Sequence, residues 1–309
     1  MKACVDIGGT KIAVSLAEEG GRTLLWRQSE PTLKTGHNDA VALQVLRLID
    51  AACGAAGIAP AQISGVAVSS AGPFVMHEGC LELASPNICG GLAGPARGLP
   101  NTWLTAPMEA PLRARFGTVR MENDAVAAME AERRWGALQG LAHCAYVTWS
   151  TGVGVGLCVD GRPLRGKNGN AGHAGHSFVA DDDNLGALCG CGNFGDVEGL
   201  AAGSAIARRF NTSAAELFAT ARSGDAHAAD LIDALCRVMG RLLYNLIVTL
   251  DLQRISLGGS VFWHNRDLLL PRRDQELHAH LAPLTSGVEL VPAGLGERVG
   301  DYAALALLD

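Results

Sequence analysis

The chain has 309 residues, a length that suggests two domains rather than one. It is 48% hydrophobic and 18% charged, the balance of a globular protein with sizeable cores, and its net charge of −6 argues against nucleic acid or an anionic membrane as a partner. Its nine cysteines are an odd number, set mostly in apolar patterns (Cys4, Cys53, Cys144, Cys158, Cys236), and fit buried thiols in a reducing cytoplasm.

The N-terminus, MKACVDIGGTKIAV, enters a strand pattern at once and shows no signal-peptide pattern. No apolar run approaches the roughly 20 residues of a membrane span. Residues 3–16 read as two short strands around a Gly-Gly turn. Glycines at 8 and 9 let the backbone approach a phosphate, the Thr10 hydroxyl points with the amides, and Asp6 can hold Mg²⁺ through water. A plain hairpin is the bland alternative. Residues 38–57 carry a helical stripe of Val41, Val45, Leu48, Ile49 and Ala52, closed by Gly54 and Gly57. GVAVSSAGP at 65–73 reads as a buried strand, and 74–100 as a Gly- and Pro-rich loop holding Ser85-Pro86-Asn87. At 118–134 a strand runs into a helix at Asn123-Asp124, where Asp124 fits either a helix start or a general base.

Residues 144–159 repeat the first pattern: two apolar strands around Ser150-Thr151-Gly152. The repetition predicts two similar halves facing a phosphate-bearing ligand. Residues 199–222 and 226–250 read as helices, the second as a core helix, with 223–225 as the turn between them. RISLGGSV at 254–261 is a strand ending in a further Gly-Gly turn at Gly258-Gly259, and GERVGDYAALALL is a final helix. The order is α/β with internal duplication. No G-x-G-x-x-G follows the first strand, and no Walker sequence is present, so neither a Rossmann nor a P-loop site is expected.

Between Gly169 and Glu198 the chain concentrates His173, His176, Cys189, Cys191, Asp196 and Glu198 among glycines. A Cys-x-Cys pair with an upstream His supplies three zinc ligands, and Asp196 is the nearest fourth. An ordinary glycine-rich loop with reduced cysteines is the alternative.

Taken together, these motifs resemble the ROK family of sugar kinases and repressors, within the actin-like ATPase superfamily. The match runs nearly end to end: DIGGT at 6–10, SPN at 85–87, NDA at 123–125, STGVG at 150–154, the G-x-A-G-x-x-G-H run ending at His176, CGCGxxGxxE ending at Glu198, and LGGSV at 257–261. The resemblance implies a two-domain actin-like (ribonuclease-H-like) α/β fold with a ligand cleft, its small domain at 1–121 plus 297–309 and its large domain at 122–296. It implies ATP and Mg²⁺ on Asp6, Gly8, Gly9, Thr10, Lys11, Thr151, Gly152, Gly258 and Gly259. It further implies Asp124 as general base on the sugar hydroxyl, and Asn87, Asn123, Asp124, His173, His176 and Glu198 as sugar contacts. A structural zinc would be held by His176, Cys189, Cys191 and Asp196. Relatives of this kind are often dimers or tetramers, and no interface is marked here.

Two positions depart from the family pattern. His173 stands where the family usually has Glu, and it resembles in this the bacterial N-acetylmannosamine kinases. Asp196 stands where a third cysteine is usual, which leaves either a Cys₂-His-Asp zinc site or a loop held by packing alone. The expected activity is ATP-dependent phosphorylation of a free hexose such as glucose, the 6-hydroxyl above all. The alternatives are an N-acetylmannosamine, other 2-acetamido hexose or cyclitol kinase, and a non-catalytic sugar-sensing protein; polyphosphate is a further candidate donor. A repressor is disfavoured, because the first strand leaves no room for a helix-turn-helix.

Overall fold

In the computed structural model, which describes residues 1–92, 98–179 and 187–308 (backbone alone over 273–278), the chain divides into two compact units. The first comprises Met1–Ala131, Arg165–Ala171 and Gly300–Asp309, the second Glu132–Leu164 and Gly172–Val299. The fold is α/β, with one five-stranded mixed sheet in each unit.

The first unit runs β1 (Lys2–Ile7), β2 (Lys11–Ala17), β3 (Leu25–Pro31), α1 (Ala40–Ala56), β4 (Gly65–Ser70), β5 (Phe74–His77), β6 (Cys80–Leu83), β7 (Ala106–Pro107), α2 (Glu109–Arg113) and β8 (Val119–Asn123). Helix α3 (Asp124–Trp135) then crosses the unit boundary. The sheet order is β3-β2-β1-β4-β8, antiparallel from β3 to β1 and parallel from β1 to β8. β4 is buried along its whole length, as its run of Val and Ala requires in a central parallel strand. α1 buries its predicted stripe and stops at Gly57, whose φ of 69° a side chain would resist. The 74–100 stretch, expected as loop, contains the β5–β6 hairpin of a small three-stranded sheet with β7. Four-residue strands give too short an alternation to stand out against the surrounding glycines and prolines.

The second unit repeats the plan. β9 (Cys144–Trp149), β10 (Val153–Val159) and β11 (Arg162–Pro163) are antiparallel neighbours, and β12 (Arg254–Gly258) and β13 (Glu289–Pro292) join parallel, in the order β11-β10-β9-β12-β13. Between β11 and β12 (Arg254–Gly258) lie α4 (Val197–Ala201), α5 (Gly203–Phe210), α6 (Ala214–Arg222) and α7 (Ala226–Leu250). After β12 come α8 (Ser260–His278), α9 (Ala282–Thr285) and β13 (Glu289–Pro292), and the last helix, α10 (Val299–Ala306), lies mainly in the first unit.

The stretch 199–222, expected as one helical run, is three helices. Ala202 is extended between α4 and α5, Asn211 is left-handed after α5, and Ser213 opens α6 with a reciprocal capping pair to Glu216. α7 is the expected core helix, capped by Asp225 and buried through Ile232, Leu235, Met239, Leu242, Leu243 and Ile247. Glu132 is a wholly buried carboxylate in the second unit. It accepts from the Ala137, Gly294 and Leu295 amides at 2.8, 2.9 and 2.8 Å and from the Ser256 hydroxyl at 3.1 Å, so both carboxylate oxygens are hydrogen-bonded. Among the described residues no helix is long and apolar enough to cross a membrane.

Candidate functional site

In the first unit the predicted residues gather at the carboxyl ends of the parallel strands, where open α/β sheets bind ligands. β1 ends at Ile7, level with Ser70 of β4, and Ser70 is level with Asn123 of β8. The Gly8–Thr10 turn follows β1, and Asp124 follows β8 as the first residue of α3. Gly8 donates its amide to the Lys11 carbonyl at 2.9 Å, closing the turn, while Thr10 and Lys11 are exposed.

Gly9 has to be glycine for a steric reason. A Cβ there would lie 2.7 Å from Asn87 Cβ, so the Ser85-Pro86-Asn87 loop packs directly on the phosphate-type turn. That loop is itself fixed by Asn101. Its carbonyl oxygen accepts the Gly90 amide at 2.7 Å and the Trp103 amide at 3.1 Å, and its amide group donates to the Lys34 and Ile88 carbonyls.

Asn123 is buried and its side-chain oxygen accepts the Ala125 amide at 3.0 Å. Asp124 is exposed, with Oδ1 2.8 Å from the same amide. Behind them Glu122 pairs with Arg165, and burial nonetheless raises its carboxyl above the usual value against that attraction. Asp6 borders a cavity of about 20 Å³ together with Arg27 and Asp301, a volume on the scale of one water molecule. Burial raises its carboxyl, opposed by Arg27 and Lys11.

In the second unit two glycine contacts build a matching rim. Gly259 has φ of 86°, and a Cβ on it would lie 2.4 Å from the Trp149 carbonyl oxygen. A Cβ on Gly258 would lie 2.4 Å from the Tyr146 hydroxyl. The Gly258-Gly259 turn is therefore pressed onto β9 just before Ser150, Thr151 and Gly152. The Ser150 carbonyl accepts the Gly203 amide at 2.8 Å, the Thr151 carbonyl accepts the Ser204 hydroxyl at 2.8 Å, and the Ser150 and Ser260 hydroxyls are 3.0 Å apart. Ser204 and Ser260 were not anticipated from sequence; single serines at helix starts carry no signal until the fold brings them to one loop.

The histidine loop is held by the same device. A Cβ on Gly172 would lie 2.3 Å from the Val155 carbonyl oxygen, and one on Gly175 2.1 Å from that of Val153. The glycine spacing thus seats the loop along β10. His173 precedes a short 3₁₀ turn, Ala174–His176, and its ring stacks on His176 with centroids 6.1 Å apart.

His176, Cys189, Cys191 and Asp196 converge, with one ligand atom from each lying within 4.8 Å of all the others. His176 Nδ1 is 3.2 Å from Asp196 Oδ2 and 3.5 Å from Cys189 Sγ, and Cys191 Sγ is 3.4 Å from Asp196 Oδ2. Four atoms about 2.0–2.3 Å from a tetrahedral zinc lie about 3.3–3.8 Å apart, close to these three distances, so the cluster fits such a site. Burial pushes the Cys189 and Cys191 thiols upward, the state a dication would reverse. The hydrogen bond to Asp196 raises His176. Burial pushes Asp196 up, yet the bonds from His176 and the Gly199 amide hold it below its ordinary value.

Asp196 also caps α4, with Oδ1 2.7 Å from the Gly199 amide. Two residues on, Glu198 links this cluster to the phosphate-type loop of the same unit. Its Oε2 accepts the Val153 amide at 3.0 Å, its Oε1 lies 3.3 Å from Cys189 Sγ, and a Cβ on Gly152 would lie 2.6 Å from its carboxylate.

Comparison with known proteins fits this geometry. The ROK family model matches residues 2–309. The glucokinase of Aeropyrum pernix is 29% identical over 98% of this chain and 95% of its own length. The N-acetylmannosamine kinase of Citrobacter koseri is 33% identical over 83% of this chain and 82% of its own. Among solved structures, the ROK hexokinase of Thermus thermophilus superposes with a TM-score of 0.73 at 30% identity, covering 99% of this chain and 97% of that one. A ROK glucokinase from Streptomyces griseus, in complex with glucose and AMPPNP, gives 0.70 at 26% identity over 98% and 97%.

Proposed function

The chain belongs to the ROK family and is an ATP-dependent sugar kinase, and from that premise we propose that it phosphorylates a free hexose, glucose first among them, at the 6-hydroxyl. The observation that carries the reading is the packing of Asn87 on Gly9, with Asn123-Asp124 at the end of the neighbouring parallel strands. It supports the reading by bringing Asn87, Asn123 and Asp124 to the rim that carries the Gly8–Thr10 turn.

In this reading Asp124 accepts the proton of the attacking hydroxyl, a role its exposed carboxylate at the start of α3 suits. Asn87, Asn123, His173, His176 and Glu198 are the proposed sugar contacts. The turns at Gly8–Thr10, Ser150–Gly152 and Gly258-Gly259, with Lys11, bind the nucleotide phosphates. Asp6 would hold Mg²⁺ through water, and the ion would neutralise phosphate charge. His176, Cys189, Cys191 and Asp196 would hold zinc as a structural ion, its chemistry being to fix the loop that carries Glu198. Phosphoryl transfer asks chiefly for positioning and charge neutralisation, and these parts supply both.

A second acceptor, N-acetylmannosamine, is favoured by His173. An imidazole offers one acceptor where a carboxylate offers two, so a sugar whose recognition relies less on paired hydroxyls is the better match. The test is ADP release with Mg·ATP against glucose, mannose, fructose, N-acetylglucosamine, N-acetylmannosamine and a cyclitol. Glucose turnover supports the first reading, turnover of N-acetylmannosamine alone supports the second, and silence throughout refutes both. Asp124→Asn should lower kcat by about 10²–10⁴-fold with sugar binding retained; unchanged turnover in that variant removes Asp124 as the base.

A further inference from the structure

Thr32 lies directly after β3 and is buried, 7% exposed. Its hydroxyl donates to the Gly8 carbonyl at 2.7 Å, and its amide N–H donates to the Thr10 carbonyl at 3.1 Å. One residue therefore engages two carbonyls of the turn that follows β1.

The consequence follows from peptide geometry. In a trans peptide the C=O and the next residue's N–H point to opposite sides. With the Gly8 and Thr10 carbonyls turned onto Thr32, the N–H groups of Gly9 and Lys11 point away from it. A carbonyl directed at a phosphate would repel it, and an N–H attracts it. The polarity of the turn is thus set by the hydroxyl and the backbone amide of one residue that follows β3.

Thr32 is itself anchored. On α1, Gln44 accepts the Leu33 amide at 2.9 Å and donates to the Pro31 carbonyl at 2.8 Å. Both residues flanking Thr32 are tied to one buried amide side chain, so the hydroxyl is presented from a fixed backbone.

We propose that Thr32 is a positioning residue for nucleotide binding, holding the Gly8 and Thr10 carbonyls off the phosphate face of the turn. The proposal rests on the reading of that turn as a phosphate loop. It predicts an effect on nucleotide and little on sugar, which a merely structural residue would not separate.

The test is Thr32→Val, which keeps the shape and removes the hydroxyl, beside Thr32→Ser, which restores it. Titration calorimetry with Mg·ADP and steady-state kinetics are read on the full chain. Thr32→Val should weaken Mg·ADP binding about tenfold, as expected when a buried carbonyl loses its donor, and raise the KM for ATP in step. The KM for sugar should stay within about twofold, and Thr32→Ser should return both nucleotide constants toward wild type. Thr32→Ala, read in the same way, covers the case in which the valine variant does not fold. Equal Mg·ADP affinity in wild type and variant overturns the proposal while the kinase reading stands. Thr32-dependent Mg·ADP binding in a protein that phosphorylates no sugar supports the proposal and removes the kinase reading. A wild-type protein that binds no nucleotide overturns both.

Discussion

At the scale of single residues, the site is shaped by where a Cβ cannot go. Gly259 combines a left-handed φ of 86° with a backbone carbonyl 2.4 Å from any side chain it might carry. Backbone cannot yield as a flexible side-chain end can, so Gly259→Ala should destabilise the protein by about 2–3 kcal/mol and raise the KM for ATP. Thermal unfolding and initial-rate kinetics check the two parts, and a variant with wild-type values in both would show that the turn has slack. Glu122 offers a pH prediction. Burial raises its carboxyl above the ordinary glutamate value, so just above that value the folded chain keeps a proton that the unfolded chain has lost. Stability from this group therefore falls as pH rises through the window. The Tm of wild type minus that of Glu122→Gln should decline as pH rises above the ordinary glutamate value, and a flat difference would contradict the shift.

At the scale of elements, Asp196 serves two structures with its two oxygens: Oδ1 caps α4 and Oδ2 faces His176 and Cys191. A cysteine there could serve as a ligand but could not replace a carboxylate cap. Asp196→Cys should keep zinc near one equivalent by metal analysis yet lose about 1 kcal/mol in unfolding, whereas Asp196→Ala should lose both. Retention of full stability by Asp196→Cys would deny the capping role. The same residue shows what sequence can and cannot disclose. Ligand type and spacing made the four-residue cluster legible before any coordinates, because Cys-x-Cys with a nearby His has few other uses. The cap on α4 was not legible, since the helical run was expected from residue 199, whereas α4 opens at Val197, directly after Asp196. The duplicated strand-turn-strand units were readable from apolar runs around Gly-rich turns. β3, β13 and the β5–β6 hairpin were not, because short or half-exposed strands carry little alternation. Thr32 and Asn101 stayed hidden for another reason: their partners are carbonyls and amides remote in the chain, and a backbone group leaves no mark on sequence.

At the scale of the molecule, each unit presents its motifs at the carboxyl ends of a sheet with the same strand order. A repeated sheet gives two rims of equivalent construction, one carrying Asn87 and Asp124, the other the histidine loop and Glu198. Within the second unit, Glu198 touches the metal-type cluster with one oxygen and the Val153 amide with the other. For a zinc ion at this cluster and a nucleotide at the proposed phosphate loop, linkage requires that whatever factor the ion adds to nucleotide affinity, nucleotide adds to ion affinity, and the Glu198 bridge is the contact expected to carry that coupling. Zinc release to a chromophoric chelator should therefore slow when Mg·ADP is present, and Glu198→Gln should reduce the difference. Release indifferent to nucleotide would mean that the bridge transmits nothing. If the bridge transmits, a zinc ion held by this cluster would be more than a fastening: its retention would report how full the proposed nucleotide site is.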